Sequence, residues 1–169
     1  MKIFFPLCAI IFLAAIATTL TASGHDVQRD VKYDAKHERN VLDFYPPHKE
    51  AEAAPVFVFF HGGGFRQGDK GVLERRRKGT LDAHLEAGYA VVSCNYPFIG
   101  KEMDYKKIAH HCARAMQFIR SKSDEWKIDP KRIVCGGVSA GALISEFLAY
   151  HDDFAVLTSK DSVEQQSSR

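Results

Sequence analysis

The 169-residue sequence lacks a large excess of charge of either sign. Its 23 Lys and Arg residues are nearly balanced by 21 Asp and Glu residues, so its charge does not favour nucleic acid as a partner. Cysteine is scarce, and four cysteines in this length do not make a disulfide scaffold. Hydrophobic residues form 46% of the chain and charged residues 26%. These values are typical of a globular domain and exclude a disordered chain, a collagen-like repeat and a multi-span membrane protein.

The N-terminus has the pattern of a secretory signal peptide. Lys2 precedes an uncharged, almost wholly apolar run from Ile3 to Ala17, and small residues follow at 22–24. An uncleaved anchor is the alternative, although the run is shorter than the ~20 residues of a membrane-spanning helix. We therefore expect a signal peptide at residues 1–24, a domain at residues 25–169 without a membrane span, and a secreted or periplasmic location.

The remaining sequence alternates between predicted strands and helices. Two apolar runs without alternation, at residues 55–60 and 89–96, are typical of strands buried on both faces of a parallel sheet. The other predicted elements are a hairpin at 27–47 whose second strand (40–45) is half exposed, helices at 71–87, 103–126 and 139–150, and a short strand at 132–136 after a break at 129–130. This order predicts an α/β fold, with a hairpin followed by a mostly parallel sheet flanked by helices.

Two glycine-rich motifs carry the chemical signal. Gly137-Val138-Ser139-Ala140-Gly141 lies between a predicted strand and a predicted helix, where a sharp turn would expose the serine hydroxyl above the sheet. His61-Gly62-Gly63-Gly64 follows the first buried strand, and glycines there let backbone N–H groups approach a developing anion. Both motifs fall at the carboxyl ends of strands, where open parallel sheets bind ligands. The alternative is that these glycines only make tight turns.

The chain resembles secreted esterases and lipases of the α/β-hydrolase fold, the group that includes relatives of hormone-sensitive lipase and feruloyl-esterase-like domains. The resemblance extends over about residues 31 to 153 and rests on the segments Leu42-Asp43-Phe44-Tyr45-Pro46, His61-Gly62-Gly63-Gly64-Phe65, Asn95-Tyr96, Asp129-Pro130-Lys131-Arg132-Ile133 and Gly137-Val138-Ser139-Ala140-Gly141. It differs from the family after Asn95-Tyr96, where Pro97 replaces the usual arginine.

The resemblance implies a carboxylic ester hydrolase that uses no metal and no organic cofactor. Ser139 would be the nucleophile, and the oxyanion would accept hydrogen bonds from the N–H groups of Gly63, Gly64 and Ala140. His61 would shape the loop rather than transfer protons. The expected substrate is a small-molecule or polysaccharide-linked ester. A peptidase or an arylformamidase of the same fold, and a non-catalytic binding module built on this fold, remain alternatives.

The sequence after Ser139 lacks the other two members of a catalytic triad. In this fold the acid and then the histidine follow the serine along the chain, and the last histidine, His151, would lie about 18 Å along the helix from Ser139. We therefore expect an α/β-hydrolase domain that is incomplete at its C-terminus. We also expect the chain alone to be nearly inactive and, because an apolar edge strand would be unpaired, poorly soluble.

The other reactive side chains have simpler explanations. His110 and His111 are adjacent on a helix, so one should be exposed and the other partly packed, and no histidine pair has metal-ligand spacing beside carboxylates. The basic run at 75–78 is surrounded by acidic residues, which indicates a solvated helix face. Three cysteines fall in apolar runs and are expected to be buried, with a single disulfide left open: Cys94, Cys112 and Cys135.

Overall fold

The computed structural model describes residues 26–49 and 51–169, so the predicted signal peptide lies outside the described residues. The strands are β1 (Gln28–Lys32), β2 (Val41–Tyr45), β3 (Ala54–Phe60), β4 (Ala90–Cys94) and β5 (Ile128–Gly137). The helices are α1 (Val72–Arg76), α2 (Lys78–Glu86), α3 (Tyr105–Ser121), α4 (Ser123–Trp126) and α5 (Ala140–Tyr150).

All five strands form one sheet in the order β1-β2-β4-β3-β5. The predicted hairpin is present, and β2 joins it to the rest of the sheet by pairing antiparallel with β4. The strands β4, β3 and β5 are parallel to one another. Helices α1 and α2 cover one face, while α3, α4 and α5 cover the other. The predicted α/β class with a hairpin and a mostly parallel sheet is therefore confirmed.

The second strand differs from its prediction, because β2 is buried on both faces rather than half exposed. Asp43 is only 1% exposed. Its Oδ1 atom lies 2.8 Å from Lys70 Nζ, and its Oδ2 atom lies 3.4 Å from an Arg29 guanidinium nitrogen. The apolar-polar alternation does mark two different environments, but the polar one is a buried cluster of charges rather than solvent.

The predicted helix at 71–87 is divided into α1 and α2 at Arg77, whose φ of −133° and ψ of 31° are not helical. Both Leu73 and Leu81 are buried against the same side of the sheet. Eight residues of continuous helix would rotate these two side chains about 80° apart. The break at Arg77 therefore lets both leucines reach the core, and the basic residues at 75–78 remain exposed as expected.

The predicted helix at 103–126 begins later and is interrupted near its end. Asp104 caps the N-terminus of α3 by accepting a hydrogen bond from the Lys107 N–H at 2.8 Å. Lys122 has non-helical dihedral angles and separates α3 from α4, and Lys127 ends α4 with a left-handed φ of 51°. The predicted apolar stripe is buried throughout: Ile108, Cys112, Ala115, Met116 and Ile119.

The third parallel strand begins earlier than predicted, at Ile128 rather than Arg132. Ala54 pairs with Ile128 and Val56 pairs with Ile133, so the segment 129–132 bulges out of the ladder. This irregularity accommodates Pro130, which has no N–H to donate. β5 is an edge of the sheet in the described part of the chain, and its Val134 side chain is 53% exposed.

The segment after α5 folds back over α3 without regular secondary structure. The Gln117 side-chain amide donates hydrogen bonds to the carbonyl oxygens of Phe154, Glu164 and Gln166 at 2.9 to 3.3 Å. Arg114 forms a 2.6 Å ion pair with Asp161. The polar side chains of this segment and of α3 therefore hold it in place.

The cysteines in the described residues are free. Cys94 and Cys112 are buried and Cys135 is partly buried, which agrees with their expected packing. Across 26–49 and 51–169, none of the helices is both long enough and apolar enough to cross a membrane.

Candidate active site

Ser139 lies at the bend between β5 and α5. It is the N-cap residue of α5, with a φ of 55° and a ψ of −116°. A positive φ is unusual for a residue with a side chain and costs free energy, and such residues cluster at functional sites. The side chain of Ser139 is exposed. The bend therefore presents the hydroxyl group to solvent at the carboxyl end of the sheet, as the sequence motif predicts.

The glycines on either side of Ser139 allow this bend. A Cβ atom at Gly137 would overlap the carbonyl oxygen of Phe60 and the backbone of Gly141. A Cβ atom at Gly141 would overlap the same Phe60 oxygen. Since these contacts are with backbone atoms, no side-chain rotation could relieve them. The backbone is therefore too closely packed for a side chain at Gly137 or Gly141, where the ends of β3 and β5 contact the start of α5.

The glycine loop after β3 lies directly beside Ser139. A Cβ atom built on Gly62 would lie 2.7 Å from the carbonyl oxygen of Val138 and 3.5 Å from Ser139 Cβ. Gly63 and Gly64 have positive φ values of 126° and 60°. A Cβ atom at Gly64 would meet no other atom within 4 Å, so this part of the loop borders open space. The structure therefore brings the two sequence motifs together around one opening.

Three backbone amides of these two motifs have no acceptor among the described residues. Within the residues that the structure describes, the N–H groups of Gly63, Gly64 and Ala140 donate no hydrogen bond outside their own helix or strand. Ala140 is the first residue of α5, and the first N–H groups of a helix have no acceptor within it. The helix N-terminus also carries a partial positive charge.

His61 is part of the loop's internal structure. Its side chain is 0% exposed, and its ring stacks on Tyr96 with the centroids 4.3 Å apart. The Nδ1 atom lies 2.8 Å from the Gly62 carbonyl oxygen. Burial lowers the pKa of His61 and so favours the neutral ring. These contacts engage both the ring face and Nδ1 in holding the loop.

Polar side chains at the end of β4 and directly after it contact Asp69 and Lys70, in the segment that follows the glycine motif. Sequence reasoning gave them no role at the site. Asn95 Oδ1 accepts a hydrogen bond from the Lys70 N–H at 2.6 Å, and its Nδ2 donates to Asp69 Oδ2 at 3.0 Å. Ser93 Oγ donates to the Lys70 carbonyl oxygen at 2.7 Å. Burial opposes ionisation of Asp69, but the hydrogen bonds from Asn95, Gly71 and Arg75 outweigh it and lower the pKa of Asp69. The available signal was the position of Ser93 and Asn95 within the otherwise apolar run at 89–96.

Other described histidines have packing partners outside the bend at Ser139. His151 follows α5 and packs against Phe147 and Phe154. His84 stacks on Phe57 with the ring centroids 4.1 Å apart. On α3, His110 is exposed and His111 is half-buried, as predicted. Among residues 26–49 and 51–169, no group of three His, Cys, Asp or Glu side chains is placed to bind a metal ion.

Comparison with known protein families identifies the chain. A family model described as BD-FAE matches residues 42–169, which is most of the chain and includes both glycine motifs. The chain belongs to the BD-FAE family. BD-FAE is an esterase-like α/β-hydrolase domain, so the expected resemblance to esterases and lipases of this fold is confirmed.

A curated relative supports the same grouping for this BD-FAE chain. Carboxylesterase NlhH of Mycobacterium tuberculosis (strain CDC 1551 / Oshkosh) is 30% identical over 123 residues. The matched segment is 72% of this chain and 37% of that protein. This BD-FAE chain is therefore homologous to a carboxylesterase and belongs to an esterase-like family.

Two solved structures share the fold of this BD-FAE chain. A truncated form of a carbohydrate esterase from gut microbiota superposes with a TM-score of 0.64 at 24% identity, covering 75% of this chain and 45% of that one. An acetyl ester-xyloside bifunctional hydrolase from Caldicellulosiruptor lactoaceticus has a TM-score of 0.64 at 23% identity, covering 76% and 46%. The chain thus spans less than half the length of each of these three relatives.

Proposed function

We propose that this BD-FAE chain provides the nucleophile and the oxyanion-binding amides of a serine ester hydrolase. The main support is that the glycine loop lies close to the exposed Ser139: a Cβ atom built on Gly62 would lie only 3.5 Å from Ser139 Cβ. Membership of an esterase family and 30% identity to a carboxylesterase support the reaction class.

The proposed reaction proceeds through an acyl-enzyme. Ser139 Oγ attacks the ester carbonyl carbon while its proton passes to a base, and the carbonyl oxygen becomes an anion. The N–H groups of Gly63, Gly64 and Ala140 stabilise that anion, and one such donor is worth about 3–4 kcal/mol of barrier. The C–O bond to the alcohol then breaks, the alcohol leaves with a proton, and water hydrolyses the acyl-Ser139 ester.

Residues 26–49 and 51–169 supply no assigned base for this scheme. His61 is buried and engaged with Gly62 and Tyr96, and His151 packs against Phe147 beyond the far end of α5. We therefore propose that the 169-residue chain alone hydrolyses esters slowly. An oxyanion site without a working triad retains roughly 10³- to 10⁴-fold acceleration over water in well-studied serine hydrolases. Without a base, deacylation should be especially slow, so an acyl group on Ser139 should accumulate.

The substrate is proposed to be a small-molecule or polysaccharide-linked carboxylic ester. Two structural neighbours are described as a carbohydrate esterase and as an acetyl ester-xyloside hydrolase, which favours short acyl esters of carbohydrates. The apolar segment at residues 3–17 with small residues after it supports a secreted or periplasmic location. Such a location would bring the chain into contact with extracellular polysaccharide.

The test is acylation of Ser139 by p-nitrophenyl acetate, mapped by peptide mass spectrometry. The full chain should accumulate acetyl-Ser139, and the Ser139→Ala variant should lose both this adduct and the slow release of p-nitrophenol. Ser145→Ala is the matched control, because Ser145 lies on α5 with its hydroxyl donating to the Gly141 carbonyl oxygen. A folded chain that never acquires an acyl group on Ser139 would refute the proposal and favour a non-catalytic binding module.

A further inference from the structure

Arg39 connects the N-terminal hairpin to the glycine loop. It lies in the turn between β1 and β2. Its Nε donates to the Tyr96 carbonyl oxygen at 2.9 Å, and its Nη2 donates to the Gly68 carbonyl oxygen at 3.0 Å. The guanidinium carbon lies 3.8 Å from the centroid of the Phe98 ring. One half-buried side chain thus joins three segments that are separated by up to 59 positions of sequence in this chain.

The same guanidinium group faces the ring of His61. Arg39 Nη2 lies 3.4 Å from His61 Nε2. On the other side of the ring, Nδ1 lies 2.8 Å from the Gly62 carbonyl oxygen. A carbonyl oxygen only accepts and a guanidinium only donates. Both contacts therefore favour the same tautomer of His61, with a proton on Nδ1 and a lone pair on Nε2.

The Gly62 carbonyl oxygen links the His61 ring to the Gly63 amide. The peptide unit that contains this oxygen also contains the Gly63 N–H group. Fixing the oxygen toward His61 Nδ1 directs that N–H to the opposite side of the same plane. A flexible glycine segment requires such a restraint, since glycine has the largest conformational freedom to lose.

We propose that Arg39 is a positioning residue for the oxyanion-binding loop, acting through the neutral Nδ1–H form of His61 and through Gly68 at the end of the loop. The inference rests on the proposed function, because it assigns a purpose to the orientation of the Gly63 and Gly64 amides. Arg39 itself touches neither Ser139 nor the proposed substrate. The positive charge of Arg39 beside Nε2 disfavours protonation of that nitrogen. Protonation would also remove the Nε2 lone pair that faces the guanidinium group.

The variants are Arg39→Gln, Arg39→Lys and the control Arg29→Gln, each in the full chain. Arg29 lies on β1 of the same hairpin, where it bonds to both carboxylate oxygens of Glu74 and to the Tyr45 hydroxyl. Its loss weakens the anchoring of the hairpin without altering a contact of His61. The two readouts are the protonation of each His61 ring nitrogen, from ¹⁵N NMR of histidine-labelled protein, and the rate of Ser139 acetylation by p-nitrophenyl acetate.

The wild-type chain should show His61 protonated at Nδ1 alone at pH 7. In Arg39→Gln, the pKa of His61 should rise, the two neutral tautomers should mix, and Ser139 acetylation should slow about tenfold. Arg39→Lys should keep the ring neutral while slowing acetylation about threefold, because an ammonium group cannot reproduce the guanidinium fork. Arg29→Gln should leave both readouts within twofold of wild type.

Two results would overturn the inference. One is a folded Arg39→Gln chain with His61 still protonated at Nδ1 alone and an acetylation rate within twofold of wild type. The other, should Arg39→Gln not fold, is an Arg39→Lys chain with unchanged readouts. If wild-type Ser139 is never acetylated, the proposed function fails, and the state of the His61 ring still decides whether Arg39 controls it.

Discussion

Tyr96 holds His61 by its ring and by its hydroxyl group. The two rings stack with centroids 4.3 Å apart, and the Tyr96 hydroxyl donates a 2.6 Å hydrogen bond to the His61 carbonyl oxygen. Both residues are fully buried. The first residue of the glycine loop is therefore restrained at its side chain and at its backbone by the segment that follows β4.

Tyr96→Phe isolates the hydroxyl bond. The ring stacking remains, but the buried His61 carbonyl oxygen loses this donor, which should lower the free energy of unfolding by about 1–2 kcal/mol. Acetylation of Ser139 should slow as well, since the loop is less well fixed. Urea unfolding and p-nitrophenyl acetate kinetics measure the two effects. Tyr89→Phe is the control, and equal effects from both variants would contradict a specific role for Tyr96.

Gly141→Ala tests the close approach of three backbone segments at the bend. The added methyl group would overlap the Phe60 carbonyl oxygen, so we expect a loss of about 2–3 kcal/mol in unfolding free energy. Gly79→Ala makes the same substitution within α2, where the new Cβ meets nothing within 4 Å, and should stabilise the chain by about 1 kcal/mol. Chemical denaturation measures both, and a harmless Gly141→Ala would show that the bend is looser than described.

Asp43→Asn removes the acid at the centre of the buried charge cluster. Asp43 Oδ1 lies 2.8 Å from Lys70 Nζ and accepts the Asp30 N–H at 2.9 Å. Lys70 Nζ would keep the exposed Asp30 carboxylate at 2.8 Å but lose its buried partner, so we expect destabilisation of about 3 kcal/mol. Asp82→Asn is the matched control, since it breaks an exposed pair with Lys78 worth roughly 0.3–0.5 kcal/mol. Similar unfolding midpoints for the two variants would disprove a structural role for the cluster.

Stability should depend on pH through histidines whose pKa is lower in the folded chain than in the unfolded chain. Burial lowers the pKa of His61, His110 and His111. The unfolded chain then binds more protons as the pH falls below about 6.5, so stability is complete above that pH and is lost as the pH falls toward the folded-state pKa values. Urea midpoints between pH 8 and pH 5.5 measure this loss. His111→Gln should make the pH dependence shallower, whereas a midpoint that does not change with pH would contradict the prediction.

Val134→Lys should reduce self-association. Val134 is 53% exposed on β5, at an edge of the sheet in the described residues, and exposed apolar edge strands promote intermolecular pairing. Light scattering and the soluble fraction after concentration measure the change. Leu157→Lys is the control, because Leu157 is more exposed but lies outside the sheet. Equal improvement in the two variants would assign the effect to net charge alone.

The local pattern of the sequence was sufficient for most of the fold. Runs of β-branched and aromatic residues identified β3 and β4, and helical spacing identified the stripe of α3, because burial imposes these periods directly. The positions that failed depend on partners distant in sequence. The charge of Asp43 is tolerated only because Lys70 and Arg29 converge on it, and the break at Arg77 follows from where the sheet places Leu73 and Leu81.

The candidate site was predictable to a similar extent. The glycine spacing around Ser139 and at 62–64 predicted two turns at one end of a sheet, and the structure places those turns side by side. The supports behind the loop were not predicted, because they approach it from other segments. Arg39 belongs to no motif, and Asn95-Tyr96 entered only as a segment of the family resemblance, with no role at the loop. A sequence motif contains the residues that must lie next to the reacting atoms. The residues that pack behind the motif are determined by the tertiary fold.

At Ser139, the backbone angle that suits the proposed role of the hydroxyl group also costs folding free energy. Glycine adopts a φ of 55° with little strain, so a chain selected only for thermodynamic robustness would drift toward glycine there and become more stable as it did so. This chain instead has a side chain at the bend. The thermal stability of natural variants that differ at position 139 would therefore show whether selection still favours the hydroxyl group.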